Sequence, residues 1–208
     1  MKENRALLLV DIQNDFCSGG KVSVPKGDAI VPVCNAYVNL FTALGLPVFI
    51  SRDWHPEKTK HFQEFGGIWP AHCVQYTQGA EFHPNLRLPS GAFIISKGRL
   101  PEEDSYSAFQ GRDENGGTLD EILHDLGVLD LYVGGLATDF CVKHTVLDGL
   151  HNNYSVHLLT DAIKGVNMFF SDDIYRSVEI MERYGAIKTD LEEVRSFVRP
   201  QDSLVYQI

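Results

Sequence analysis

Short apolar runs rich in β-branched residues recur along the chain, and each is followed by a polar loop and a stretch with helical spacing. The clearest runs are ALLLVD, PVFISRD, AFIISK, LDLYVGGL and SVHLLTD. Nearly continuous apolar strands are typical of parallel sheets, because such strands are buried on both faces. The alternation of these strands with helices therefore predicts an α/β fold with helices on both faces of a mostly parallel sheet.

The apolar spacing predicts helices over residues 28–44, 118–126, 140–152 and 172–184. After them, GAIKT is predicted to be a sixth strand and residues 191–198 a last short helix. Residues 54–89 are different, because they are rich in Gly, Pro, His and aromatic residues and show no sustained period. A long irregular insertion within a compact domain usually has a function.

The 208 residues are sufficient for one sizeable core, so we expect one domain over residues 1–208. The formal net charge of −10 argues against binding to nucleic acid or to an anionic membrane. The apolar run in MKENRALLLVDIQNDF is short and stops at an acid, so it predicts a strand and not a signal peptide. We therefore expect a cytoplasmic protein with a small neutral substrate.

The four cysteines are Cys17, Cys34, Cys73 and Cys141. They lack the spacing of a metal knuckle, and they are too few for a disulfide scaffold in a chain of this size. Reduced thiols are the prediction.

Polar residues stand where several predicted strands end. Asp11 follows ALLLV, Asp53 follows PVFISR and Lys97 follows AFIIS. Cys141 comes after LDLYVGGL, at the start of a predicted helix. Each residue alone has an ordinary explanation, as a turn residue, a solvated cation or a small buried thiol. Because ligands of open α/β sheets bind at the carboxyl ends of the strands, their coincidence at one edge predicts an active site.

Cys141 is the candidate nucleophile. Gly134 and Gly135 allow a tight exit from the strand, and Thr138 or Asp139 is placed to cap the following helix. A helix N-terminus and a nearby lysine both lower the pKa of a thiol, so we expect a lowered pKa for Cys141.

A carboxylate beside the thiol is needed to accept its proton and to pass it to the leaving amine. Asp11, paired with Lys97, is the candidate. The backbone amides of Ala137 and Cys141 would then face the oxyanion that develops during attack. The alternative is an ordinary glycine-rich turn between a strand and a helix.

A second group consists of Asp53 and His55 in DWH, followed by His61 and by His72 in WPAHC. A carboxylate with imidazoles suits one divalent ion, such as zinc, iron or manganese. The alternative is a polar loop in which the histidines cap backbone groups. Four aromatic residues in predicted loops either close the core or enclose a planar ring: Phe16, Trp54, Trp69 and Tyr106.

The motifs VDIQNDF, SRDWHP, GGIWPAHCV, ISKG and GGLATDFCV follow one another along the chain. In them the sequence resembles the nicotinamidase/pyrazinamidase branch of the isochorismatase-like cysteine hydrolases over essentially its whole length. The resemblance implies a six-stranded sheet in an αβα sandwich. It also implies hydrolysis of nicotinamide to nicotinate and ammonia through a cysteine thioester, with pyrazinamide as a further substrate.

The resemblance also assigns site residues. It implies a triad of Asp11, Lys97 and Cys141, and a non-proline cis peptide bond before Ala137. It implies a bound metal ion, zinc in first place, with Asp53, His55 and His72 as ligands. His61 occupies a position that is a ligand in some family members and another residue, often Ser, in others. Phe16 and Trp69 match the aromatic residues that enclose the substrate ring, and Tyr106 is placed as a third wall.

Several alternatives stay open at this point. One is a hydrolase in which a metal-bound hydroxide attacks and Cys141 is structural; another is a ligand-binding or regulatory protein without turnover. A third is a related metal-containing amidohydrolase that acts on a different small amide. Isochorismatases proper lack the nucleophilic cysteine, and carbamoyl-amide hydrolases generally lack the DWH and WPAHC metal set. A homo-oligomer is an alternative to a monomer.

Overall fold

The computed structural model describes residues 4–198. Its strands are β1 (Arg5–Val10), β2 (Val48–Asp53), β3 (Phe93–Lys97), β4 (Asp130–Leu136), β5 (Ser155–Lys164) and β6 (Ile187–Thr189). Its α-helices are α1 (Val31–Ala43), α2 (Leu119–Asp125), α3 (Lys143–His151), α4 (Asp173–Arg183) and α5 (Leu191–Val198). Each predicted strand is present, and so is the predicted last helix.

The six strands form one sheet in the order β3-β2-β1-β4-β5-β6, and every neighbouring pair is parallel. The chain runs outward from β1 to β3 and then returns to the other side of β1 with β4. Open sheets of this order bind ligands beyond the carboxyl ends of the strands where the direction of winding reverses. The reversal here lies between β1 and β4, which lead to Asp11 and toward Cys141.

The side chains of β1 show how the layers form. Leu7 and Leu9 pack with residues of α1 and α5 on one face, whereas Leu8 and Val10 pack with residues of α2, α3 and α4 on the other. This alternation follows from the two-residue period of a strand. Both faces of the sheet are therefore covered, which confirms the predicted αβα sandwich.

The predicted start at residue 140 of the helix over 140–152 was wrong. The chain first makes a π-helical turn, Thr138–Val142, and continues as α3 from Lys143. The predicted cap by Thr138 or Asp139 is also absent, because neither side chain makes a capping hydrogen bond. The carboxylate of Asp139 instead accepts hydrogen bonds from the backbone amides of Val166 and Asn167, at 3.0 and 2.8 Å.

The predicted helix at 28–44 begins as a 3₁₀ turn, Gly27–Ile30, before α1. Pro32 lies in the first turn of α1, where its missing amide proton costs no intrahelical hydrogen bond. The insertion at 54–89 is irregular, as expected, with only short 3₁₀ turns at Gln63–Phe65 and Gln78–Ala80. No helix in the described part of the chain has the length and apolar character needed to cross a membrane.

Candidate active site and metal centre

Asp11, Lys97 and Cys141 meet at the carboxyl edge of the sheet. The ammonium nitrogen of Lys97 lies 2.8 Å from Asp11 Oδ2 and 3.4 Å from Cys141 Sγ. Asp11 and Lys97 have no solvent exposure, and Cys141 is only 7% exposed. The structure therefore assembles all three residues in one buried group. All four cysteines are free thiols and buried, in agreement with the prediction of reduced thiols.

Asp53 has a second contact that the sequence analysis did not anticipate. Its Oδ1 forms an ion pair with Lys97 Nζ, whereas its Oδ2 lies 3.7 Å from His55 Nε2 and 3.8 Å from His72 Nε2. Asp53 therefore belongs to the lysine cluster and to the histidine cluster. One carboxylate joins the candidate metal centre to the candidate nucleophile.

Burial alone would lower the pKa of Lys97, but the carboxylates of Asp11 and Asp53 outweigh burial and hold that pKa well above its usual value. Burial would likewise raise the pKa of Asp53, but Lys97 and His55 hold it well below the usual range. Lys97 is therefore a cation and Asp53 an anion at neutral pH. Their charges stabilise each other inside the protein, where both side chains are buried.

The expected low pKa of Cys141 was wrong. Burial raises the pKa of this thiol well above its ordinary value, and the carboxylates of Asp11 and Asp53 add to the rise, which the Lys97 cation only partly offsets. The π-helical turn also places Cys141 inside the turn and not at a free helix N-terminus. The resting sulfur is therefore a protonated thiol that needs a base.

Asp11 has the properties of that base. Burial raises the pKa of its carboxyl group, although Lys97 opposes the rise. A carboxylate with a raised pKa accepts a proton more readily than an ordinary aspartate does. The hydroxyl of Ser51 donates to Asp11 Oδ1 at 2.8 Å, and the Asp11 amide donates to the Ser51 carbonyl oxygen at 3.2 Å. Ser51, which the sequence analysis missed, therefore fixes the orientation of the carboxylate.

The loop between β4 and Cys141 has the backbone that the family resemblance implied. The peptide bond between Leu136 and Ala137 is cis. Just before it, Gly135 has a φ of 122°, and a Cβ there would overlap the carbonyl oxygen of Val10 on the neighbouring strand. Only glycine fits this position, because a side chain would be both strained and obstructed.

His55, His61 and His72 form a cluster whose ligand nitrogens all lie within 4.8 Å of one another. All three side chains are buried, and His55 Nε2 has no hydrogen-bond partner among residues 4–198. A buried polar nitrogen without a partner is costly unless something binds it. Together with Asp53 Oδ2, these imidazoles are a donor set that fits one divalent transition-metal ion.

The Nδ1 atoms of the same histidines face acceptors that orient the rings. His55 Nδ1 lies 3.2 Å from the Gly98 carbonyl oxygen, and His72 Nδ1 lies 2.8 Å from that of Pro70. His61 Nδ1 lies 2.5 Å from Asp104 Oδ1. Acceptors at Nδ1 leave Nε2 as the free ligand atom of each ring. Asp104 could not be identified from the sequence, because an acidic residue in the polar segment PEEDSY carries no distinctive signal.

Three of the four predicted aromatic residues line the pocket beside Cys141. Phe16, Trp69 and Tyr106 are among its walls, and Trp69 Nε1 donates a hydrogen bond to the Tyr106 hydroxyl at 3.0 Å. Phe140, which was not singled out, forms a further wall. Trp54, for which both alternatives were open, lies outside this pocket with its ring against Arg52 and Tyr76.

Comparisons with known proteins identify a matching domain family and similar sequences and folds. The isochorismatase domain family matches residues 5–193. The nicotinamidase of Escherichia coli (strain K12) is 40% identical over 92% of this chain and 98% of its own length. The solved pyrazinamidase of Pyrococcus horikoshii in complex with zinc has a TM-score of 0.83 and 42% identity, over 90% of this chain and 99% of that one. PnC1 from L. infantum, solved in complex with nicotinate, has a TM-score of 0.80 and 32% identity, over 91% and 94% of the two chains.

The family match covers most of the chain, and the relatives align over nearly their full lengths. The chain therefore belongs to the isochorismatase family, in the branch that contains the nicotinamidases and pyrazinamidases.

Proposed function

We propose that this protein is a nicotinamidase, an amidohydrolase that converts nicotinamide to nicotinate and ammonia. The observation that carries the proposal is the buried group of Asp11, Lys97 and Cys141 beside an aromatic pocket. The nicotinamidase of Escherichia coli and the nicotinate-bound PnC1 support this substrate. The proposal takes residues 1–208 as one hydrolase domain.

In the proposed reaction the Asp11 carboxylate takes the proton of the Cys141 thiol. The sulfur then attacks the carboxamide carbon, and the carbonyl oxygen becomes an oxyanion. The backbone amides of Ala137 and Cys141 donate hydrogen bonds to that oxyanion, and removing one such donor typically costs about 2.7–4 kcal/mol. The Lys97 cation stabilises the negative charge that moves between Asp11 and the sulfur.

Asp11 next gives its proton to the amide nitrogen, the C–N bond breaks, and ammonia leaves a thioester on Cys141. The carboxylate then takes a proton from water, whose oxygen attacks the thioester carbon. Cleavage of the C–S bond releases nicotinate, and the sulfur recovers its proton from Asp11. One carboxylate thus acts as base and acid in both halves of the reaction.

Phe16, Trp69 and Tyr106 would hold the planar substrate ring in the pocket. Asp53, His55, His72 and His61 would hold a metal ion, which we propose to be zinc because the similar pyrazinamidase was solved with zinc. When bound, the ion supplies a Lewis acid that fixes the ring nitrogen of the substrate, directly or through water.

The proposal is tested by measuring ammonia release from nicotinamide and from pyrazinamide, with metal analysis of the same preparation. Turnover of both amides with about one metal ion per chain is expected. Turnover of another small amide only would favour a related amidohydrolase, and binding of nicotinamide without ammonia release would favour a regulatory protein.

The raised pKa of Asp11 predicts the acid side of the pH profile. The base must be ionised, so kcat/KM falls as the pH drops through the pKa of Asp11, which lies above the usual 3.8. The Ser51 hydroxyl lowers this pKa by its hydrogen bond, so Ser51→Ala is expected to move the acid limb to higher pH. A pH profile of kcat/KM checks both points, and an unchanged limb in Ser51→Ala would remove Asp11 as the titrating base.

The histidine cluster predicts graded losses of metal. His61→Ala and His72→Ala are each expected to lose most of the bound metal during purification, since each removes a ligand nitrogen. Asp104→Asn keeps the ligands but weakens the orientation of His61, and such losses typically weaken metal affinity about 10–100-fold.

Metal content and competition with a chelator provide the measurement, and His151→Ala, on the exposed end of α3, is the control. Stoichiometric metal with unchanged affinity in His61→Ala would leave Asp53, His55 and His72 as the whole site.

A further inference from the structure

A second polar cluster lies on the opposite face of β2 and β3 from the catalytic centre. Arg52 precedes Asp53 on β2, Ser96 precedes Lys97 on β3, and the two pairs are in register. Because successive side chains of a strand point to opposite faces, Arg52 and Ser96 lie on the face away from Asp53 and Lys97. There the Arg52 Nε donates to the Ser96 hydroxyl oxygen at 2.9 Å, which fixes the guanidinium.

This face opens into a cavity of about 510 Å³, to which none of the three catalytic candidates contributes. Arg52 and Arg99 both line it, and so do the apolar side chains of Trp54 and Ile94. The guanidinium carbon of Arg52 lies 3.8 Å from the centre of the Trp54 ring. The cavity therefore combines two cations with an apolar wall.

Within the described part of the chain, the two cations lack anionic partners. Among residues 4–198, neither Arg52 nor Arg99 forms an ion pair with a carboxylate. Arg52 donates only through Nε, and the Arg99 side chain makes one long bond of 3.5 Å to the Asp113 carbonyl oxygen. Burial lowers the pKa of Arg52, and the nearby Arg99 cation lowers it further. An anion bound here would relieve this repulsion.

Two acidic residues also line the cavity, but within residues 4–198 neither forms an ion pair with Arg52 or Arg99. The Asp113 carboxylate accepts hydrogen bonds from the backbone amides of Asn115 and Gly117, at 3.0 and 2.7 Å. Glu114 is exposed, and the structure shows no ion pair from it to either guanidinium. The unpaired positive charge stands out in a chain whose formal net charge is −10.

We propose that this cavity binds a small oxyanion, the phosphate or carboxylate group of a compound with an apolar or aromatic body. The terminal nitrogens of Arg52 and the exposed guanidinium of Arg99 supply paired N–H donors for the oxygens. Trp54 and Ile94 supply the surface for the body of the ligand. A neutral amide has no charge for the arginines to bind, so the site discriminates by charge.

The chain contains only two tryptophans, one at each site, and this gives a direct test. In a ¹⁵N-correlated NMR spectrum, the indole N–H signal of Trp54 reports on binding in this cavity and that of Trp69 on binding in the catalytic pocket. The spectrum of Trp54→Phe assigns the two signals. Phenyl phosphate, benzoate and benzamide serve as probes, and they are added to the Cys141→Ala variant so that benzamide is not hydrolysed to benzoate. We expect the Trp54 signal to shift saturably with at least one of the two anions and not with neutral benzamide. The anion that causes the shift identifies which oxyanion, phosphate or carboxylate, the cavity binds.

Arg52→Gln and Arg99→Gln are expected to raise the Kd measured at the Trp54 signal at least tenfold, whereas Glu114→Gln lowers it. Arg99 is exposed, so its variant tests the site even if Arg52→Gln perturbs folding. Arg183→Gln, on exposed α4 surface outside the cavity, removes the same charge and should leave the Kd unchanged. Shifts of Trp69 alone, equal shifts with benzamide, or an unchanged Kd in Arg99→Gln would each overturn the proposal.

Discussion

Replacement of Cys141 by alanine is expected to abolish the hydrolysis of nicotinamide, with kcat lower by about 10⁴-fold or more. The substitution removes the sulfur that forms the thioester, and no other thiol is in contact with Lys97 in the described part of the chain. The small side chain should be well tolerated in the fold, because Cys141 packs as a buried apolar residue. Ammonia release measured under saturating nicotinamide checks the result.

Cys34→Ala is the matched control, since Cys34 is a fully buried thiol on α1 in the opposite core layer. It should keep the kcat of the unmodified protein. Acid quench of the unmodified protein during turnover, followed by mass spectrometry, should show the nicotinoyl group on the peptide that contains Cys141. Substantial turnover by Cys141→Ala would instead favour a metal-bound hydroxide as the nucleophile.

Much of the candidate site could be predicted because strand ends converge in a parallel sheet. Asp11, Asp53 and Lys97 each follow an apolar run, and an apolar run ends visibly in the sequence. Once the strands are parallel, their carboxyl ends must share an edge, so residues far apart in the chain meet without any knowledge of loop structure. The fold and this part of the site therefore follow from local hydrophobic pattern.

Electrostatics and loop geometry could not be predicted in the same way. The pKa of Cys141 depends on burial and on two carboxylates, and these effects together exceed that of Lys97. Sequence neighbours also separate, since Trp54 follows Asp53 directly and yet faces another cavity. Asp104 reaches His61 across 43 positions of the chain. Contacts of this kind are set by tertiary packing and leave no periodic signal.

Replacement of Lys97 by methionine is expected to reduce kcat at least about 100-fold, because it removes the charge that stabilises the reacting groups. The substitution should also destabilise the fold.

Asp11 and Asp53 both face Lys97 Nζ inside the protein, and removing one partner of a buried ion pair typically costs about 3–5 kcal/mol of the free energy of unfolding. Without the cation, the pKa of the remaining pair of carboxyls rises above that of the unfolded chain. The stability deficit should therefore be largest at neutral pH and shrink as the pH falls and a carboxyl takes up a proton.

Denaturant unfolding at several pH values, beside ammonia release, measures both effects of Lys97→Met. Lys164→Met is the matched control, since Lys164 also ends a strand but is exposed, and it should change the free energy of unfolding by less than about 0.5 kcal/mol. The two substitutions remove the same charge, so overall charge does not explain a difference between them. If Lys97→Met were as stable as Lys164→Met at neutral pH and still turned over nicotinamide at the original rate, Lys97 would hold neither carboxylate in its charged state. The proton transfer between Asp11 and Cys141 would then have to be explained without it.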